Sequence, residues 1–336
     1  MGSREATDYY LARRGVSSRE VVAMIVMALV IGAIALPWLL QQREGSRQRM
    51  CEYRLIDLGR TMLFSTNLRK GRSFPGYANP QGAEDAENSR QIGWAFEMLP
   101  YIGRQLDKQS GKLPGVDVFG PRNDVHQQLT SASDNSGQNQ LPSVFVPEFV
   151  CPVDARVDQS QRQAFLSYVA NCGMPDAKPT QEFPADWPAN GLFLERFSGR
   201  NGNYVTSPQF VEDHDGGAYT LMLSENIDAG LWTDTSENQV GFLWTVGSPE
   251  GIHTPQCAVL YINQERGKGD RSSRFARPAS NHQRGVNVVY CDGHTRFIDD
   301  GLEFRIYVAQ MTPDGQQVRQ PGSDQLLSPP YREIRE

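Results

Sequence analysis

The side chains best suited to chemistry lie near the C-terminal end of the chain, around an Asp-Gly pair. His282 precedes Asp292 and Gly293 with nine residues between, and His294 follows them. Imidazole and carboxylate groups are ligands that zinc accepts, and a hairpin could bring both histidines together. Alternatively, Asp292 accepts hydrogen bonds from turn amides, while His282 fixes the entry to a strand through a backbone hydrogen bond. We favour this structural interpretation, because an Asp-Gly pair is accounted for by a turn alone.

A second set of carboxylates lies further upstream. Asp213, Asp215 and Glu225 offer oxygen ligands of the kind that calcium binds. Their spacing differs from an EF-hand loop, since the glutamate falls one place late. The alternative is that Asp215 and Gly216 form a turn leading into a strand. We therefore predict no cofactor, with calcium at these three carboxylates as the candidate to test.

Signatures of the common enzyme classes and of nucleic-acid binding are missing. The sequence contains no HExxH, GxSxG, P-loop or GxGxxG motif. Its net charge is −6, and no basic stripe with interleaved aromatic residues occurs. These observations predict a protein that is not an enzyme and has no nucleic-acid partner. A metal-dependent enzyme built on His282, His294 and Asp292 is the less favoured alternative.

Three tryptophans suggest a different class, a module that binds glycans. Trp187, Trp232 and Trp244 carry rings that could stack on sugars, although scattered tryptophans are more often buried in a core. Trp187 lies in a proline-rich loop, so it is the one we expect to contact a ligand.

A long apolar segment near the N-terminus is the element that organises the chain. Residues 21–40 contain no charged side chain. As a helix they would extend roughly 30 Å, enough to cross the hydrocarbon core of a bilayer. A buried core helix is usually shorter and has a polar face, which this segment lacks. We therefore predict one membrane span, with Glu20 at its edge solvated or paired with Arg19.

The remainder of the chain predicts a domain with a β-sheet and long loops. Leu55, Leu58, Met62 and Leu63 repeat at helical spacing, which indicates that the helix continues and packs on the domain's own sheet. Residues 285–299 predict a hairpin with a type I′ turn at Asp292 and Gly293. Further strands are expected at residues 144–150, 165–170, 219–224, 240–246 and 257–263.

Five cysteines are present, and their spacing gives no metal knuckle. Outside the cytoplasm one or two disulfides are permitted, and at least one thiol would stay free. Cys151 with Cys172 is our first choice of pair among Cys51, Cys151, Cys172, Cys257 and Cys291.

The N-terminal region resembles type IV prepilins and the pseudopilins of type II secretion. A basic leader ends at Gly15, and counting Val16 as the first mature residue makes Glu20 the fifth and Pro37 the twenty-second. In that family a prepilin peptidase cuts after the glycine and methylates the new N-terminus. The glutamate then pairs with the N-terminal amine of a sister subunit. The chain departs from the pattern at Val16, where phenylalanine is usual, and at residues 17–19, where Thr-Leu-Val is usual.

Further segments of the sequence carry a family resemblance that covers nearly the whole chain. They are RQRMCEYRLIDLGRTM, GWAFEMLPYI, FVCPVD, LSYVANCG, DGGAYTLMLSENI, SNHQRGVNVVYCDGHTRFI and MTPDG. These pieces, with His282 nine residues before Asp292-Gly293, resemble a prepilin-like family known as domain of unknown function 1559, which is abundant in planctomycetes. The resemblance implies no particular reaction.

Together these features predict an α+β protein with a pilin-like organisation. We expect a leader over residues 1–15, a transmembrane and extended helix over residues 16–70, and an extracytoplasmic domain over residues 71–336. That domain would contain an antiparallel sheet, long loops and the hairpin of residues 282–298. The expected role is a structural or assembly one in the cytoplasmic membrane, with a single span. An anchored glycan-binding module is the alternative.

Overall fold

The computed structural model describes residues 17–69, 71–81, 90–102, 145–154, 165–178, 182–197, 204–245, 261–264, 266 and 276–327. Gly15, Val16 and the rest of the predicted leader lie outside the described residues. The chain separates into two compact units, Met1–Arg47 and Gln48–Glu336. The boundary falls inside the first helix, because the last turns of that helix pack into the core of the second unit.

Helix α1, Ser18–Leu68, begins with a capping box. Ser17 Oγ accepts a hydrogen bond from the Glu20 backbone N–H at 3.3 Å, and Glu20 Oε2 accepts one from the Ser17 backbone N–H at 2.8 Å. This reciprocal pair satisfies two amides that would otherwise have no partner at the start of the helix. Glu20 therefore has a partner within its own chain.

The first unit contains the apolar part of α1. The segment Ser18–Leu36 is strongly apolar, and none of its most apolar part is buried. By length and composition it is able to cross a membrane. The helix continues through Pro37 without ending.

The second unit begins with the last turns of α1 and contains the remaining helices and strands. These are β1 (Ala78–Gln81), β2 (Arg90–Gly93), α2 (Trp94–Met98), a 3-10 turn (Pro147–Phe149), β3 (Tyr168–Gly173), α3 (Pro208–Asp213), β4 (Leu221–Glu225), α4 (Glu237–Val240), β5 (Gly241–Leu243), β6 (Gly285–Tyr290), β7 (Thr295–Asp299) and α5 (Phe304–Met311).

The main sheet has five strands in the order β5-β3-β4-β6-β7. Three neighbouring pairs are antiparallel, whereas β3 and β5 run parallel. The sheet is therefore mixed, which corrects the expectation of a purely antiparallel one. Strands β1 and β2 form a separate antiparallel pair.

Helices cover both faces of this sheet. Gly59 of α1 lies against Val289 of β6, so closely that a Cβ at Gly59 would stand 2.8 Å from a Val289 methyl carbon. The next residue, Tyr290, donates its hydroxyl to Gln310 Oε1 on α5 at 3.2 Å. Successive side chains of a strand point to opposite faces, so α1 and α5 lie on opposite sides of β6. Every residue of β6 is accordingly buried.

The predicted apolar stripe on α1 is confirmed. Leu55, Leu58 and Met62 are at most 2% exposed, and Leu63 is partly buried against the same core. The stripe packs on the domain's own sheet, because its side chains join one continuous hydrophobic cluster with those of the strands.

Not all predicted strands have the expected form. Residues 147–149 form a 3-10 turn that starts at a proline, which has no backbone N–H to donate to a strand ladder. The other expected strands appear as β3, β4 and β5 with shifted ends. Of residues 257–263, only 261–263 are described, and they lie in a turn.

The predicted hairpin is confirmed in its pairing but not in its turn. Gly285 pairs with Asp299, and the register continues to Val289 and Thr295. The Gly293 N–H donates to Tyr290 O at 2.9 Å, and Gly293 has a φ of 89°. These features define a three-residue loop with glycine in the left-handed position. The type I′ prediction is wrong because Asp292 does not adopt a positive φ.

Candidate functional site

Four side chains with metal-binding or redox chemistry converge on the face of the sheet covered by α1. They are Cys51, Cys151, Glu225 and His282, and all four are buried. One potential ligand atom from each lies within 4.8 Å of all the others. We refer to these four residues as the cysteine–histidine cluster.

The cluster is a disulfide beside a histidine–carboxylate pair. Cys51 and Cys151 are bonded, with their Cα atoms 5.3 Å apart. His282 Nε2 lies 3.8 Å from Cys151 Sγ and 3.3 Å from Glu225 Oε1. Both His282 and Glu225 have side chains only 1% exposed, so they form a buried ion pair when the imidazole is protonated.

Helix α1 brings Cys51 to the segment that contains Cys151. Arg54, one helical turn after Cys51, donates a hydrogen bond to Pro147 O at 2.9 Å and another to Val150 O. Residues three apart lie on the same helix face, so α1 holds this segment by a covalent bond and by a guanidinium group.

Glu225 ends strand β4, and the neighbouring strand β6 holds its carboxylate. Oε2 accepts hydrogen bonds from the Asn287 backbone N–H at 2.8 Å and from Asn287 Nδ2 at 3.2 Å. The other oxygen, Oε1, accepts no hydrogen bond of good geometry within the described part of the chain and faces His282. Glu225 is therefore held on one side with its second oxygen directed into the cluster.

His282 is held by the loop that precedes β6. Its backbone N–H donates to Ser280 Oγ at 3.0 Å, and Arg266 donates to the backbone oxygens of Ser280 and His282 at 2.9 and 3.0 Å. The same loop is fixed further back by the buried Arg277–Asp228 ion pair at 3.0 Å. These contacts fix the backbone from which the His282 side chain extends.

Tyr168 extends the polar surroundings of the cluster. Its hydroxyl donates to Cys51 O at 3.3 Å. Burial raises the pKa of this hydroxyl well above its usual range, and the nearby Glu225 carboxylate adds to the shift. Tyr168 is therefore a neutral hydrogen-bond donor rather than a phenolate.

The structure does not assemble the predicted site of His282, His294 and Asp292. Strand β6, Gly285–Tyr290, separates His282 from the other two by roughly 17 Å at about 3.3 Å per residue. Asp292 Oδ1 instead accepts the His294 backbone N–H at 2.9 Å and lies 2.6 Å from His294 Nδ1. The structural interpretation of Asp292 as a turn residue is confirmed, whereas His282 belongs to the cysteine–histidine cluster.

The three candidate calcium ligands also lie apart. Asp213 ends α3 and accepts a hydrogen bond from Gln209, while Asp215 accepts the Gly315 backbone N–H at 2.6 Å. Both precede β4, and Glu225 is at the far end of that strand. They do not form one site because a strand lies between them.

The predicted Cys151–Cys172 disulfide is wrong. Cys151 pairs with Cys51, while Cys172 and Cys291 are buried thiols. Cys172 lies on β3 against Gly241 of β5, where a Cβ would stand 2.2 Å from its sulfur. Burial raises the pKa of both thiols well above the ordinary value, so they stay protonated. Cys257 lies outside the described residues.

Two of the three tryptophans lie in the core and one lies nearer the surface. Trp232 and Trp244 are fully buried core residues. Trp187 is partly buried, and its Nε1 donates to Ser323 O at 2.8 Å. The Tyr204 ring lies 5.4 Å from its ring, and the Arg319 guanidinium lies 5.1 Å above it. Trp187 is thus part of an aromatic and cationic group that includes the exposed Tyr204.

A separate pair of partly buried carboxylates, Asp176 and Glu237, lies near α4. The Asp176 backbone N–H donates to both oxygens of Glu237, at 3.2 and 3.1 Å, and Asp176 Oδ2 accepts the Tyr77 hydroxyl at 2.6 Å. Burial raises the pKa of the Glu237 carboxyl to about 8, and the nearby Asp176 charge adds to the shift. Native Glu237 therefore keeps its proton at pH values where an unfolded glutamate loses it.

This difference in pKa predicts a loss of stability with rising pH. Between pH 4.5 and about 8 the native chain binds the proton more tightly than the unfolded chain, so the contribution is present below pH 4.5 and lost through pH 8. We expect the free energy of unfolding of Glu237→Gln, relative to that of the wild type, to be higher at pH 8 than at pH 5. The exposed Glu303→Gln is the control, with no such difference. A Glu237→Gln effect that is equal at both pH values would contradict this assignment.

The sequence contains a signal for Cys51 that the prediction of a Cys151–Cys172 disulfide did not use. Cys51 precedes Leu55 by four residues and Leu58 by seven, so it continues the buried stripe by one turn. Extending the stripe backwards would have placed Cys51 on the face that meets the domain. The pairing with Cys151 could not be deduced in this way, because spacing alone leaves several connectivities open.

The fold and the cluster together define a class of protein. The protein is a mixed α+β domain preceded by a helix long and apolar enough to span a membrane, with a buried disulfide between that helix and the domain. By sequence comparison the chain belongs to the family described as protein of unknown function (DUF1559), whose profile matches residues 41–305. No curated protein and no solved structure matches the chain.

Proposed function

We propose that this protein is a single-pass, membrane-anchored envelope protein with a pilin-like organisation and a structural or assembly role rather than a catalytic one. Its span lies in the cytoplasmic membrane, and its α+β domain lies outside the cytoplasm. Helix α1 serves as the anchor in its first part and as a core element of the domain in its last turns.

The observation that carries this proposal is the change in exposure along one helix. The segment Ser18–Leu36 is apolar and wholly exposed, which is costly in water and favourable in lipid. Leu55 and Met62, on the same helix, are completely buried in the domain. A continuous helix with these two environments is suited to joining a membrane to a folded domain.

The disulfide supports the placement of the domain outside the cytoplasm. Cys51–Cys151 lies in the second unit, and disulfides persist in oxidising compartments rather than in the cytosol. Positive charges flank both ends of the apolar segment, so they do not decide its orientation.

Processing and assembly follow from the prepilin-like start. We propose that a prepilin peptidase cuts after Gly15 and that Glu20 pairs with the N-terminal amine of a sister subunit at Val16. Glu20 is exposed and sits in the first turn of α1, where its capping contact with Ser17 fixes the carboxylate at the helix start. Pro37 lies further along the same helix.

The anchor can be tested by placing charges in its centre. Ile25→Arg with Leu29→Arg should cost about 5–7 kcal/mol of membrane insertion, because each central arginine costs about 2.5–3.5 kcal/mol. We expect wild-type protein to stay with membranes during alkaline extraction and the double variant to move to the supernatant.

A control places an arginine outside the apolar segment. Tyr219 is an exposed apolar residue of the second unit, at 71% exposure, so Tyr219→Arg should leave the membrane fraction unchanged. A double variant that stays with the membranes as fully as Tyr219→Arg would contradict the anchor.

The second candidate is an anchored module that binds glycans. It is favoured by the group of Trp187, Tyr204 and Arg319, in which an aromatic ring and a cation lie beside an exposed aromatic side chain. Binding on a glycan array that Trp187→Ala removes would support this role. Absence of wild-type binding to the array would count against it.

A further inference from the structure

Cys51, Cys151, His282 and Glu225 have a composition that suits a metal as well as a disulfide. Two thiolates, an imidazole and a carboxylate are all accepted by zinc, which is bound by four ligands in a tetrahedron. The four groups come from α1, the Cys151 segment, β4 and the loop before β6, so the fold itself gathers them. We propose that, when the disulfide is reduced, these four side chains form a tetrahedral zinc site.

The distances in the oxidised protein already match two edges of such a site. A zinc ion with ordinary bond lengths places nitrogen and oxygen ligands about 3.3 Å apart and sulfur and nitrogen ligands about 3.6 Å apart. His282 Nε2 is 3.3 Å from Glu225 Oε1 and 3.8 Å from Cys151 Sγ. The remaining pairs of ligand atoms lie within 4.8 Å of one another, and reduction lets the two sulfurs separate to the roughly 3.8 Å that zinc requires.

The carboxylate is already oriented for this role. Asn287 binds Glu225 Oε2 through its backbone and side-chain amides, which leaves Oε1 directed towards His282. Outer hydrogen bonds of this kind orient metal ligands and raise affinity. Oε1 is buried and lies 3.3 Å from His282 Nε2, so both potential ligand atoms already point into the cluster.

The charge of the site can also be accommodated. Zinc with two thiolates, one carboxylate and a neutral imidazole leaves one net negative charge. Arg54 lies beside the cluster, since its guanidinium binds the backbone oxygen of Val150, the residue before Cys151. This fixed cation offsets the buried charge.

Conversion of the Cys51–Cys151 disulfide into the zinc site begins with a two-electron reduction. A dithiol reductant breaks the Cys51–Cys151 bond and becomes a disulfide, while both cysteines become thiols. Zinc binding then releases the two thiol protons, and His282 Nε2 must be unprotonated to bind. In the reverse direction a disulfide-forming oxidant removes two electrons and the metal leaves. The helix is thus joined to the domain by a metal under reducing conditions and by a covalent bond under oxidising ones.

The test uses the full chain in mild detergent, prepared once oxidised and once reduced with excess phosphine reductant. Each preparation is dialysed against zinc or cobalt and analysed for metal and for absorption. We expect about one metal per reduced chain, with a thiolate-to-cobalt charge-transfer band, and none in the oxidised chain. Adding an oxidant should release the metal.

Variants assign the ligands. In the reduced chain His282→Ala and Glu225→Gln should each weaken zinc binding at least tenfold, whereas Cys172→Ala, which removes a buried free thiol, should not. Reduced wild-type protein without stoichiometric metal would overturn the proposal. So would a cobalt–thiolate band that persists when Cys51 and Cys151 are both replaced, because other thiols would then be the ligands.

Discussion

Replacing Cys51 and Cys151 with alanine should lower the free energy of unfolding by about 4–5 kcal/mol. The two residues are 100 positions apart in sequence, and closing a loop of that length removes about 4.7 kcal/mol of chain entropy from the unfolded state. Urea denaturation of the full chain in mild detergent measures the effect, with tryptophan fluorescence as the signal. Trp94, Trp232 and Trp244 are suitable reporters because all three are buried.

The control for this prediction is another buried cysteine. Cys291→Ala removes a thiol that has no disulfide, so it should cost far less than loss of the crosslink. If the double alanine variant lost less than about 1 kcal/mol, the crosslink would not constrain the unfolded chain as the chain-entropy model requires.

Replacing His282 with alanine should lower the free energy of unfolding by about 3–5 kcal/mol, because it removes a fully buried side chain that contacts both the Glu225 carboxylate and Cys151. His282 and Glu225 are each 1% exposed, so water cannot replace the lost contact. Adding Glu225→Gln to the His282→Ala variant should restore part of the stability, since it removes the charge left behind. Urea denaturation again provides the measurement.

His294 is the matched control for His282. It also lies beside a carboxylate, that of Asp292, but both side chains are more than a third exposed. Exposed ion pairs contribute at most about 1 kcal/mol, so His294→Ala should have a small effect. Equal losses from the two histidine variants would contradict the assignment of His282 to a buried, stabilising contact.

The sequence predicted those parts of the fold that depend on local pattern. The stripe of Leu55, Leu58 and Met62 predicted a buried helix face, and the structure confirms it. The hairpin of β6 and β7 followed from alternating residues around an Asp-Gly pair. In both cases the physical cause acts between residues close in sequence, so the sequence alone contains it.

The turn of that hairpin shows where local pattern stops being sufficient. An Asp-Gly pair fits a two-residue loop, but it also fits a three-residue loop with only the glycine in the left-handed position. The choice depends on where the flanking strands pair. The register of Val289 with Thr295 selects the longer loop.

The cysteine–histidine cluster could not be predicted because its members meet only through the tertiary fold. Cys51, Cys151, Glu225 and His282 lie on four separate segments, and Cys151 is 131 residues from His282. The prediction paired His282 with Asp292, its neighbour in the motif, although a strand keeps them apart. Proximity in sequence therefore indicated the wrong partner, because tertiary packing determines which groups contact a buried imidazole.

The position of the cysteine–histidine cluster in the fold gives its disulfide a structural role. Its disulfide joins α1 to the segment beside β3, near the beginning of the part of the helix that packs into the second unit. In the proposed role, a force or constraint on the membrane anchor would reach the domain through this part of α1. A crosslink at this position would keep the helix attached to its domain.

The central claim is that this chain is an anchored protein with a pilin-like, processed N-terminus. The most direct test is the intact mass and N-terminal sequence of the protein extracted from its native membranes. The account predicts a membrane-bound chain that begins at Val16 with a methylated amine. A chain that begins at Met1 or Gly2, or that is recovered from the soluble fraction, would contradict it.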